Sequence, residues 1–184
     1  QIAALESDDL ISISSSQIQA LKTSQLAAMT TAQTRNLTST QIAAFNSAQV
    51  MGLTSTQIKT FTTDQLISLS TAQLAYLSTS QLAVISTDQL QGFTTAQLSK
   101  LTTNQIASLL TAQLAAMNTD QIGNLQSNQL SALTTAQISA LKTDAVSVIS
   151  TAQIAGLKSS QLSVLSLDQL DMLSTAQLRA LNTT

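Results

Sequence analysis

One residue recurs at a spacing that excludes most folds. Glutamine stands at 17, 25, 33, 41, 49, 57, 65 and 73 and continues in steps of eight to 177. The 184 residues divide into 23 octads with no insertion and no linker. Position 1 is Gln in 21 of them, with Asp9 and Ala145 as the exceptions. Position 2 is Ile, Leu or Val except at Thr34, and position 5 is always Leu, Ile, Met or Phe. Position 6 is Ser, Thr or Asn in 17 octads, and position 7 is Ser or Thr in 22, Leu167 being the exception. Position 8 holds Ala, Asp, Asn, Ser or Thr, and position 4 is mostly small.

Few backbones tolerate such a period. A continuous helix would need eight residues in two turns, far from 3.6 per turn, and supercoils absorb much smaller mismatches. In a straight strand, positions 2 and 5 would face opposite sides of the sheet. A β-solenoid usually needs Gly or Asn at its corners, and the chain has four Gly. Gln, Ala and Leu lean towards helix.

One short helix per octad fits. With Ser78 as the N-cap, Thr79 opens the helix and Gln81 falls at N3, the capping-box partner that reaches back to the cap's own N–H. Leu77 is then N′ and Leu82 is N4, the hydrophobic-staple pair. The same register assigns Gln73, Gln89 and Gln97 to N3, and Leu74, Leu90 and Leu98 to N4. Ile85, Phe93 and Leu101 take the N′ place of Leu77. Each helix should run from position 7 to about position 4 or 5 of the next octad. Lys22, Lys142 and Lys158 cannot cap from position 6, which leaves position 7 as an alternative cap. Glu never replaces Gln at position 1, although it caps equally well, so the Gln amide is expected to be buried and bonded to backbone, including that of an adjacent coil.

Helices this short do not persist alone and must stack on one another. The expected fold is an all-α solenoid, a single array over residues 1–184 with both apolar stripes buried. Ala at position 8 recurs at gaps of two and three octads, which suggests roughly two to three octads per superhelical turn.

Composition narrows function more than it assigns one. There is no His, Cys, Trp or Pro, so imidazole, thiol and the usual zinc, haem and iron–sulfur chemistry are not expected. A net charge of -2 gives no footprint for nucleic acid, and no apolar run suits a membrane span. Asp64, Asp88, Asp120, Asp144 and Asp168 at position 8 read as helix-dipole partners, because lone carboxylates do not make a calcium site. Glu6, Asp8 and Asp9 read as a solvated end. Met29, Phe45, Phe61, Phe93 and Met117 read as core filler, and Tyr76 as surface. The Thr rows could order water as ice-binding surfaces do, but caps are not free for it.

The consensus Gln-Leu-x-x-Leu-Ser/Thr-Thr-Ala, seen from Gln73 to Thr79 and from Gln169 to Ala176, resembles the tandem octapeptide repeats of very large bacterial surface or secreted proteins, often labelled adhesin-like or haem-utilisation/adhesion proteins. That resemblance implies an extracellular or cell-surface stalk, spacer or scaffold, part of a longer protein, with its flanking domains as partners and self-association end to end or laterally. No catalytic residue, cofactor or metal is expected. The alternative is a binding module for protein, glycan or ice that uses a repeated exposed face.

Overall fold

A computed structural model describes residues 2–181. The described residues hold 22 α-helices and one 3-10 helix, and none is in a strand. The chain divides into two compact units, Gln1–Phe93 and Thr94–Thr184. The first holds the 3-10 helix Ile2–Ala4, then α1 (Ser7–Ser12), α2 (Ser15–Ala20), α3 (Thr23–Ala27), α4 (Thr31–Asn36), α5 (Ser39–Ala43), α6 (Ser47–Gly52), α7 (Ser55–Thr60), α8 (Thr63–Ile67), α9 (Thr71–Leu74), α10 (Thr79–Ala83) and α11 (Thr87–Gln91). The second holds α12 (Thr95–Ser99), α13 (Thr103–Ala107), α14 (Thr111–Ala116), α15 (Thr119–Gly123), α16 (Ser127–Ala132), α17 (Thr135–Ser139), α18 (Thr143–Ser147), α19 (Thr151–Ala155), α20 (Ser159–Leu162), α21 (Leu167–Asp171) and α22 (Thr175–Leu181).

Every α-helix is four to seven residues long and opens at position 7 of an octad. What starts each one is position 6. In α10, Ser78 sits at φ -70°, ψ 160° and its hydroxyl accepts from the Gln81 N–H at 3.2 Å, while the Gln81 Oε1 accepts from the Ser78 N–H at 2.7 Å. What stops each helix is the same turn of chain seen from the other side. Leu77 N–H closes a tight bond to the Leu74 carbonyl at 3.1 Å, and the next residue takes the extended angles of the following cap. The chain therefore reverses without proline and, among the described residues, without any positive φ.

Within each unit, helices pack on helices three octads away: α1 on α4, α2 on α5, α3 on α6, α4 on α7 and α8 on α11 in the first, and α13 on α16, α16 on α19 and α19 on α22 in the second. The arrangement in each is solenoid-like. Its interval is the upper end of the range expected from sequence, and the two-octad gaps among the position-8 alanines have no counterpart in the packing.

Both apolar stripes are buried. Position 2, from Leu10 to Ile154, is at most 1% exposed, and position 5, from Met29 to Leu157, is at most 6%. Phe45, Phe61, Phe93 and Met117 occupy that second stripe, whereas Tyr76 lies on the surface. The helix faces meet closely elsewhere too. A Cβ added to Gly92 would clash with the Thr63 Cγ2, so the position-4 residue that caps the end of α11 lies against position 7 of α8. That contact explains why position 4 is mostly small and why position 7 is a compact hydroxyl residue even where it caps nothing.

Candidate functional site

The feature repeated with most regularity is the glutamine, and its surroundings show what it does. Gln81 is 2% exposed, and among the described residues the buried polar side chains are glutamines and one threonine, Thr34. Its two amide atoms have separate tasks. Oε1 accepts from the cap N–H of its own helix. Nε2 donates to the carbonyls of Val50 at 3.1 Å and Leu53 at 2.7 Å, which close the C-terminal end of α6. Those carbonyls lie 31 and 28 residues earlier in the chain.

The pattern repeats as a ladder in each unit. Gln41 donates to Leu10 and Ile13, Gln49 to Ile18 and Leu21, and Gln57 to Leu26 and Met29. Gln73 donates to Phe45, and Gln89 to Phe61. In the second unit Gln129 reaches Leu98 and Leu101, Gln161 reaches Leu130 and Leu133, and Gln177 reaches Ile149. The acceptor 28 residues back is the position-5 carbonyl, at the C-terminal end of a helix. Helix ends leave such carbonyls unsatisfied, and buried backbone groups without partners are costly. One side chain thus completes the start of one helix and the end of another.

Gln17 acts as an internal control. None of the described residues lies 28 positions before it, and it is exposed, yet its Oε1 still accepts from the Ser14 N–H at 2.8 Å. The capping half needs only the local helix, and the donating half buries the side chain.

The octads that depart from consensus sort in the same way. Lys22, Leu110, Gln126 and Lys158 offer no side-chain cap, but Gln25, Gln113, Gln129 and Gln161 still accept from their backbone N–H at 2.7–2.8 Å. Position 6 is therefore the cap throughout, and position 7 does not take over. At Ala145 the loss is on the other side. The Asp144 carboxylate accepts the Ala145 N–H at 2.8 Å, in place of the hydroxyl that Lys142 lacks, and the alanine has no amide to donate. Thr34, the polar residue in the position-2 stripe, is buried and donates to the Thr30 carbonyl at 2.9 Å.

The residues singled out in sequence divide between core and surface. Gln73, Gln81, Gln89 and Gln97 are buried, as are Leu74, Leu77, Leu82, Ile85, Leu90, Phe93, Leu98 and Leu101. Ser78 and Thr79 are exposed. What sequence reasoning missed is a surface cleft beside α4 and α7, and two basic residues 24 apart at position 3 were its signal. Among the described residues no three His, Cys, Asp or Glu side chains come together to hold a metal ion. No described helix is long and apolar enough to cross a membrane.

Comparison with known families gives one assignment. The family model described as ALTTAQ repeat matches residues 2–39, 34–63, 61–95, 93–127 and 122–159 in tandem. No curated protein matches the chain.

Proposed function

We propose, since the chain belongs to the ALTTAQ repeat family, that it is a structural spacer or scaffold region of a larger extracellular bacterial protein and carries no catalysis. The observation that supports this is the glutamine ladder. The most regular polar side chain in the molecule is spent on joining one coil to another, and it is spent in the same way in both units, from Gln41 to Gln177. An array whose only repeated chemistry holds its own backbone together is suited to supplying length. Its flanking domains would then be its partners, and the extracellular placement rests on the resemblance to octapeptide-repeat surface proteins.

The reading has a direct test. Two copies of the whole 184-residue chain, joined in the octad register, should behave as one longer array. Small-angle scattering should give a maximum dimension close to double that of the single chain. A maximum dimension that grows only as the cube root of mass would mean that the copies collapse into a globule, and the spacer reading would fail.

A further inference from the structure

The chain has only seven bases in 184 residues, and two of them line one cleft. Arg35, in the last turn of α4, and Lys59, in the last turn of α7, both stand at position 3, three octads apart on helices that pack together. Both are exposed. With Thr31, Ala32, Thr60, Phe61 and Thr62 they border an open cavity of about 610 Å³. That volume lies in the usual range of small-molecule sites.

Three features give this cleft a chemistry. No carboxylate lines it, so its two bases share one opening without an acidic side chain in its walls. Its Thr60 and Thr62 hydroxyls are committed differently. Thr62 Oγ1 accepts the Gln65 N–H at 3.2 Å, which leaves the Thr62 proton available to a ligand. Thr60 donates to the Gln57 carbonyl at 2.8 Å, which holds its side chain in place and leaves it no proton for a ligand. Arg35 is anchored from behind, since its carbonyl accepts from Gln65 Nε2 at 2.9 Å and the ladder fixes its backbone. A guanidinium matches two oxygens of a tetrahedral anion at once, and an ammonium adds a point charge.

We infer that the cleft between Arg35 and Lys59 binds a tetrahedral dianion, a sulfate or phosphate group. Arg35 would hold two of its oxygens, Lys59 a third, and the Thr62 hydroxyl would donate to it. The cavity is larger than one such ion and has room for the sugar or other small group that carries it. This site does not depend on the spacer reading, because it concerns one turn of one unit and not the array.

The test is a titration of the whole chain, followed by ¹H–¹⁵N chemical shifts, with sodium sulfate, sodium phosphate and a sulfated disaccharide, each at constant ionic strength. Saturable shifts confined to residues 31–35 and 59–62 are expected, with dissociation constants on the order of millimolar for the free ions, as suits exposed charges. Tighter binding of the disaccharide would identify an esterified sulfate as the ligand; equal binding would identify the free ion. The double variant Arg35→Gln, Lys59→Gln should keep the helical circular dichroism and weaken binding by about tenfold or more. Lys100→Gln, which removes an exposed base elsewhere, should leave binding unchanged. No saturable shift with any of the three, or the same weakening from Lys100→Gln, would overturn the inference.

Discussion

Gln and Glu differ by one atom pair, and that difference decides position 1. Both can accept the cap N–H, but only the amide can also donate to a carbonyl beneath it. Gln81 does both at once, within 2.7–3.1 Å of all its partners. The absence of Glu at position 1 was visible in the sequence and pointed to a buried amide. Which carbonyls it reaches was not visible, because that depends on the interval at which coils stack. Ala145 is the exception that yields a prediction. Adjacent rungs place the position-5 carbonyls of Leu109 and Leu125 on Gln137 and Gln153. By the same register the Met117 carbonyl should face a glutamine at 145, where an alanine stands. Ala145→Gln should therefore stabilise the chain by about 1 kcal/mol, two or three restored bonds less the entropy of ordering the side chain. Chemical denaturation would measure it, and a variant no more stable than the parent would show that the rung is not worth restoring.

At the scale of one helix, the signals were local and could be read directly. The six residues from Leu77 to Leu82 carry cap, box and staple, so the start of α10 is determined by its own sequence. Helix ends were less well marked. Among residues 73–77 no Gly or Asn marks a C-cap, and the stop comes from the next cap's extended angles together with the i−3 bond of Leu77. The close approach of position 4 to position 7 was legible only as a preference for small residues. Caps and stripes also differ in weight. Ser78→Ala removes one part-buried capping bond and should cost about 1 kcal/mol. Leu77→Ala empties a site that is 3% exposed and should cost about 2–5 kcal/mol. Thermal melts of the two variants should rank in that order. Equal losses would mean that capping, not burial, sets the stability of the array.

At the scale of the whole molecule, no helix of four to seven residues is stable by itself, so stability resides in what joins one coil to another. Two kinds of contact do this in each unit: the stacked apolar stripes and the amide ladder. The stripes were plain in the sequence. The three-octad interval was not, because position 8, which carried the alternating Ala pattern, faces outward in most octads and does not set the stacking. The ladder makes the stronger claim, since it predicts a response that stripes alone would not give. The most direct measurement is the melting temperature of Gln81→Glu against the parent chain as a function of pH. The new carboxylate, once ionised, would bury a charge against the Val50 and Leu53 carbonyls and could not donate to either. Its folded-state pKa would accordingly be raised above the unfolded value of about 4.3, so the protonated form, which can donate one bond, is favoured in the fold. The variant should thus come closest to the parent below about pH 4.3 and lose stability as pH rises through the folded-state pKa, reaching a deficit of about 3 kcal/mol at neutral pH. A variant that melts with the parent at pH 7 would contradict the claim that the glutamine amide ties the coils together.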